Sequence, residues 1–280
     1  VIGIAVLFQA DGLLAQAYPS YACSPQQFTI IRNPARVSGS PRTTFGGIGT
    51  NFFFFNTLGS FERMDTDAAR RQMVEQQIRT WDVDAAPLLS LLNALPRHRF
   101  VPRGYEALAY ADMEIPLGHG EIMMRPAVEG RILQALEIEA QDRILEIGTG
   151  SGYLTACLAR LGAEVVSVDL QADFTDSAKS LLDELAIANV SLQTRDAVRE
   201  GLPAGEFDVV VITGSLPRFD KRLLASLTPG GRLFVVTGEA PIMDARIVVR
   251  GDGAHWTQSS LFETCLPRLR HVDEPSSFVF

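Results

Sequence analysis

The sequence predicts an α/β fold: a doubly wound, mostly parallel sheet that ends in an antiparallel hairpin and is preceded by a helical segment. Three observations predict it. Short apolar runs alternate with amphipathic stretches from Arg143 onward, and the first run, Arg143-Ile-Leu-Glu-Ile147, opens directly into Gly148, Gly150 and Gly152. A turn at Gly251-Asp252-Gly253 separates two last apolar runs. Such alternation calls for parallel strands covered by helices on both faces.

Asp65 to Thr80 reads as a helix, because Met73, Val74, Gln77 and Ile78 fall at helical spacing and an acid-rich first turn suits the helix dipole. Asp84 is expected to cap a second helix, with Pro87 in its first turn and Leu88, Leu91, Leu92 and Leu95 facing inward. Pro96 ends it. The stretch from Pro96 to Pro126 is loop-rich and suits a cover on the substrate side of a cofactor fold. Strands are then expected at 144–147, 164–168, 190–193, 208–212 and 232–236, and helices at 152–161, 173–187 and 217–227. In the middle helix Phe174, Ala178, Leu181, Leu182 and Leu185 share a face. Residues 245–249 and 255–262 make the closing hairpin. Residues 64–280 are thus expected to form one domain, 64–140 the helical cover and 141–280 the core. Five parallel strands closed by a hairpin is the Rossmann-like architecture of S-adenosylmethionine (SAM)-dependent methyltransferases.

With 46% hydrophobic and 21% charged residues, the composition is that of a soluble globular protein. A formal charge of −8 argues against general affinity for nucleic acid, which needs a basic footprint. Cys23, Cys157 and Cys265 show neither metal spacing nor a disulfide framework, which makes a reducing cytoplasm the default expectation. Residues 1–63 differ from the rest: eight of the 16 phenylalanines fall there, with only six charged residues and no lasting periodicity. The favoured reading is that Met64 is the natural start and 1–63 an over-extended reading frame or a disordered extension. An export signal over 1–14, with cleavage at Ala15-Gln-Ala17, is the alternative, against which stand Asp11 and the missing basic n-region. No stretch approaches the ~20 apolar residues of a membrane anchor.

The glycine spacing points to the cofactor. A dinucleotide-binding turn places its last two glycines three apart, so that a helix N-terminus meets a pyrophosphate. Here they are two apart, which suits a cofactor without phosphates whose amino-acid end lies against bare backbone. SAM is such a molecule. Ligands of open α/β sheets sit beyond the carboxyl ends of the strands, which nominates Glu146, Gly148, Thr149, Gly150, Gly152, Tyr153, Asp169, Asp196 and Thr213. Asp169 is placed to accept hydrogen bonds from both ribose hydroxyls, or it simply terminates a strand. Asp196 is either an acceptor for the adenine amino group or a loop carboxylate. Glu146, inside an apolar strand, needs hydrogen bonds from nearby backbone or contact with the cofactor's ammonium group. Tyr153 fits packing as well as binding.

Leu95-Pro-Arg-His-Arg-Phe-Val-Pro102, Ile115-Pro-Leu-Gly-His-Gly120, Leu145-Glu-Ile-Gly-Thr-Gly-Ser-Gly-Tyr153, Phe207-Asp-Val-Val-Val-Ile-Thr213 and Leu227-Thr-Pro-Gly-Gly-Arg-Leu233 occur in that order. The order resembles that of protein-L-isoaspartate O-methyltransferases from Met64 to about Arg270. The resemblance implies SAM as cofactor and, as substrate, the free carboxylate of isoaspartyl residues in damaged proteins. The ester formed collapses to a succinimide, and hydrolysis restores some normal aspartate. It further implies an acceptor loop, Gly-x-Gly followed by Gln-Thr-Ile-Ser and then Pro, whose serine lies beside the acceptor carboxylate. Here the loop reads Glu121-Ile122-Met123-Met124 before Arg125-Pro126. Met124 cannot donate a hydrogen bond, and Glu121 brings a second negative charge. Two such charges ~5 Å apart repel by about 3 kcal/mol at an effective dielectric near 20, roughly two orders of magnitude in binding. Arg125 is the expected compensating cation. Alternatively the loop is remodelled, or Met123 and Met124 are core side chains. Three functions stay open: an isoaspartyl methyltransferase, a relative acting on another carboxylate or small molecule, and a SAM-binding protein without turnover. A nicotinamide dehydrogenase is disfavoured by the glycine spacing.

Overall fold

Helix caps and buried apolar faces account for the first elements. The computed structural model describes residues 9–10, 13–14, 65–253 and 255–272. The chain divides into two units, Val1–Arg63 and Met64–Phe280. In the first, Gln9–Ala10 pairs antiparallel with Leu13–Leu14. The expected export signal, cleavage site and extension otherwise lie outside the described residues.

In the second unit α1 (Thr66–Met73) is capped by Asp65, whose carboxylate accepts from the amides of Asp67 and Ala68. A π-helical turn (Val74–Ile78) and a 3₁₀ turn (Arg79–Trp81) prolong it and bury Val74 and Ile78. In α2 (Ala86–Ala94), Leu88 and Leu92 face the core. Asp84 does not cap it, correcting the expectation. Gln134 intervenes: its Nε2 donates to the Asp84 carboxylate and its Oε1 accepts from Ala85 N–H. A short antiparallel hairpin of β1 (Ile115–Gly118) and β2 (Glu121–Met123) follows, then α3 (Pro126–Leu136). Strands of four and three residues are too short to show a period, which is why this stretch reads as loop.

The sheet holds β3 (Arg143–Ile147), β4 (Glu164–Asp169), β5 (Val190–Thr194), β6 (Phe207–Leu216), β7 (Leu227–Glu239), β8 (Ile242–Arg250) and β9 (Trp256–Thr264). Their spatial order is β9-β8-β7-β6-β3-β4-β5, parallel from β7 to β5 and antiparallel in β8 and β9. Helices α4 (Tyr153–Leu161) and α5 (Ala172–Glu184) connect β3 to β4 and β4 to β5. Alternate residues face opposite ways. Ile144, Val165, Val209, Val211, Phe234 and Val236 meet the buried residues of α1 to α4, while Leu145, Val166, Val210, Ile212 and Val235 meet the other core layer.

One expected helix is absent. Residues 217–227 hold only a 3₁₀ segment, Lys221–Ser226. Strand β6 runs on to Leu216 because the Ser215 backbone finds partners in a distant strap: Ser215 N–H donates to Pro267 O at 2.8 Å, and Leu269 N–H to Ser215 O at 3.0 Å. Cys157 is a buried free thiol. No helix among the described residues is long and apolar enough to cross a membrane.

Arg97, with no solvent exposure, ties the helical segment to the core. Its Nε donates to Ala109 O at 2.8 Å, its Nη2 to Met124 O at 2.6 Å, and its Nη1 pairs with the buried Glu129 carboxylate. Its guanidinium lies over the Tyr153 ring, 4.8 Å from the centroid. Burial pushes Glu129 up to about 7 even though Arg97 pulls it down. Arg97→Met leaves that carboxylate buried without its partner and should cost about 3–5 kcal/mol in urea unfolding, most of it recovered when Glu129→Leu is added. A loss under 1 kcal/mol would mean that the pair does not hold these elements together.

Candidate active site

A cleft opens beyond the carboxyl ends of β3, β4 and β6, where the loops after the strands diverge. One wall is the glycine loop, Gly148 to Ser151, with Asp169, Leu170 and Gln171; Ala197 and Val198 add an apolar edge. The facing wall is strand β2 with Met124 and Glu129, and the strap 267–270 closes a third side.

The loop follows from its backbone. Gly148 has φ 101°, and a Cβ there would lie 2.0 Å from Thr213 Oγ1. Only glycine lets the chain turn so close to β6. The Thr213 hydroxyl lies 3.0 and 2.8 Å from the Ile147 and Gly148 carbonyl oxygens and so pins the turn. Gly150 N–H donates to Asp169 Oδ2 at 2.9 Å, and Gln171 N–H to Oδ1 at 2.9 Å. The carboxylate therefore has fixed orientation, with remaining lone pairs available to a diol. Burial raises the Asp169 pKa, against the pull of these amides.

Asp196 also lines the cleft. Its Oδ1 accepts from the Val198 and Arg199 amides, and its Oδ2 lies 2.7 Å from His271 Nδ1. Burial acts to raise its pKa, but the Arg199 amide, His271 and the Val198 amide together hold it below the ordinary value. Glu146 sits beneath the loop, away from the cleft lining, with no solvent exposure. Its Oε2 accepts from Thr155 Oγ1 at 2.5 Å and Ser167 Oγ at 2.6 Å, and Ser167 in turn meets Thr149 Oγ1 at 2.6 Å. The donors to Oε2 are hydroxyls, where nearby backbone or the cofactor's ammonium, directly or through water, was expected to supply them. Tyr153 is also off the lining, its ring packed edge-on against Phe100 under Arg97.

The acceptor side departs further from expectation. Arg125 is turned away: its guanidinium lies over the Trp81 ring, 5.5 Å from the centroid, and it does not line the cleft. Glu121 is paired instead with Arg270, Nε to Oε1 at 2.8 Å. Met124 is buried and borders the cleft while its carbonyl takes the Arg97 bond. Sequence reasoning missed Arg268, Arg270 and His271. No local pattern marks them, since they reach the site only because the strap docks on Ser215.

The family model for protein-L-isoaspartate(D-aspartate) O-methyltransferase matches residues 68–263. The chain belongs to that family. Its members are SAM-dependent enzymes of protein repair. The protein-L-isoaspartate O-methyltransferase of Methanoculleus marisnigri is 35% identical over 193 residues, 68% of this chain and 88% of that protein. That of Anaeromyxobacter dehalogenans is 41% identical over 177 residues, 62% of this chain and 85% of that protein. A Plasmodium falciparum crystal structure assigned to the same activity and holding S-adenosyl-L-homocysteine superposes with a TM-score of 0.62. It is 17% identical and covers 72% of this chain and 98% of that one, a likeness of fold. The α/β methyltransferase architecture is thus the family's.

The cleft fits the family's cofactor. Bare glycine backbone, an oriented Asp169 carboxylate and the apolar edge of Ala197 and Val198 are groups of the kinds that an amino-acid end, a ribose and an adenine require. Asp169→Ala should weaken SAM binding by about 1–3 kcal/mol in calorimetric titration, the scale of charge-assisted hydrogen bonds. An unchanged affinity would remove Asp169 from the site.

Burial raises Glu146 to about 8, against the Ser167 and Thr155 hydroxyls that lower it. A carboxyl with a raised pKa keeps its proton in the folded state, so its stabilisation is complete below about 4.5 and is lost as pH rises through about 8. Glu146→Gln lacks that slope. Its unfolding free energy should improve relative to wild type from pH 5 to 8 and then level off; a difference independent of pH counts against a buried neutral Glu146.

Proposed function

We propose that this protein methylates the free carboxylate of isoaspartyl residues in damaged proteins, with SAM as donor. The observation that carries this reading is the pairing, across one cleft, of a glycine-and-aspartate cradle with the strand bearing Glu121 and the adjoining Met124.

Bound SAM supplies a methyl group activated by its sulfonium. The chain's residues have little covalent chemistry left to do, because a carboxylate is already ionised at pH 7 and needs no general base. Positioning and exclusion of water remain. Asp169 and the amides around it orient the ribose, and Thr213 holds the turn on which the amino-acid end rests. Ile122, Met123 and Met124 form an apolar wall opposite, which keeps water from the acceptor. Arg97 holds the Met124 carbonyl and so sets the height of that wall.

Met124 in place of a hydroxyl favours a second reading, a relative of the same descent acting on another carboxylate or a small molecule. Methyl transfer from labelled SAM to an isoaspartyl peptide, with the aspartyl peptide as control, separates the two. Label should enter the isoaspartyl peptide at least tenfold faster. SAM binding without peptide methylation would support the second reading, and absence of SAM binding would overturn both.

A further inference from the structure

An acceptor carboxylate must enter a cleft that already holds Glu121, Glu129, Asp169 and Asp196. It needs a cation or a strong donor, and Met124 offers neither. Among the described residues the cleft is lined by three arginines: Arg195, Arg268 and Arg270. Arg195 lies beside Asp196 in the chain and donates to Glu200 O, on the adenine side. Arg268 pairs with Glu239 at 2.8 Å. Arg270 is the one whose guanidinium meets the acceptor hairpin, at Glu121 and His119 O.

Its placement is built rather than incidental. The strap is locked to the end of β6 by the two Ser215 backbone bonds and by Ser215 Oγ donating to Leu266 O at 2.9 Å. Leu269 fills the space at Gly214, where a Cβ would lie 2.9 Å from its side chain, and Arg268 and Arg270, two residues apart, line the cleft on either side of it. Arg270 Nε then meets Glu121, and its Nη2 donates to His119 O at 2.5 Å. The guanidinium rests on bare backbone at Gly120, where a Cβ would stand 3.0 Å from Nη2. Nη1 makes no hydrogen bond among the described residues, and the side chain is 51% exposed.

We propose that Arg270 binds the acceptor carboxylate, its Nη1 supplying the donor that Met124 lacks, and that Glu121 is the residue that positions it. The proposal rests on the isoaspartyl reading above. One carboxylate oxygen is held by the guanidinium while the other attacks the methyl carbon. A C–O bond forms as the C–S bond breaks, and its electron pair stays on sulfur. The products are a neutral methyl ester and S-adenosylhomocysteine, and no proton moves. Ester formation removes the charge that Arg270 recognises, which favours release of product over substrate.

Steady-state kinetics with the isoaspartyl peptide and calorimetry with SAM test this on the full chain. Arg270→Gln should raise the peptide KM roughly tenfold to a hundredfold, with kcat within about threefold and SAM affinity within about twofold. Arg270→Lys, which keeps the charge and loses the planar fork, should fall between. Glu121→Ala should raise KM as well, Glu121→Gln should restore it because the amide oxygen still accepts from Nε, and Glu121→Ala added to Arg270→Gln should cost nothing further. Wild-type turnover with an unchanged KM in Arg270→Gln overturns the proposal alone, as does a matching loss of SAM affinity. No wild-type turnover on the isoaspartyl peptide, despite SAM binding, overturns the isoaspartyl reading and the proposal with it.

Discussion

A guanidinium cut off from water must find every hydrogen bond within the protein, and Arg97 is in that position. It sits where the segment after α2, the end of the acceptor hairpin and helix α3 meet, above the Tyr153 ring of α4. Its acceptors are two main-chain carbonyls and one carboxylate, so three separate segments are held at hydrogen-bond length from a single rigid plane. The position of Met124, and with it the acceptor side of the cleft, depends on that plane. Helix packing by Leu88, Leu92 and Ile132 supplies the burial, but apolar contacts alone have no direction.

Charge in and beneath the cleft is organised by distance from solvent. Glu146 and Glu129 are buried deepest, and burial raises both toward the neutral form. Asp169 is half-buried and accepts two backbone donors, which keeps it oriented. Glu121, nearer the mouth, is matched by Arg270. The repulsion anticipated between Glu121 and an incoming carboxylate is therefore answered by a cation from the far end of the domain. Arg125, the neighbour expected in that role, is engaged with Trp81 instead.

Much of the core was legible along the chain. Strands β3, β4 and β5 and helices α4 and α5 lie within a few residues of where their patterns put them, because each is long enough to carry a regular apolar period that no distant contact interrupts. Helix 217–227 and the Asp84 cap were not legible. In the first case the Ser215 backbone bonds the strap, and in the second Gln134 takes the carboxylate that the helix was to use. Both partners lie roughly 50 residues away, outside any local window. The two short strands of the acceptor hairpin were lost for a different reason: runs of three or four residues carry no usable period.

By itself the sequence determined the α/β architecture, the family and a phosphate-free cofactor loop. These rest on local properties: burial on both faces of a strand, the freedom of glycine, and an acid at a strand end. Only the tertiary structure decided which side chains line the cleft. It drew Arg125 and Tyr153 into packing, set Glu146 beneath the loop as a buried group bonded by two hydroxyls, and brought Arg270 to Glu121 across 149 positions of chain. Hydrogen bonds and ion pairs of that kind form between groups adjacent in space, and adjacency in space is what a linear pattern does not carry.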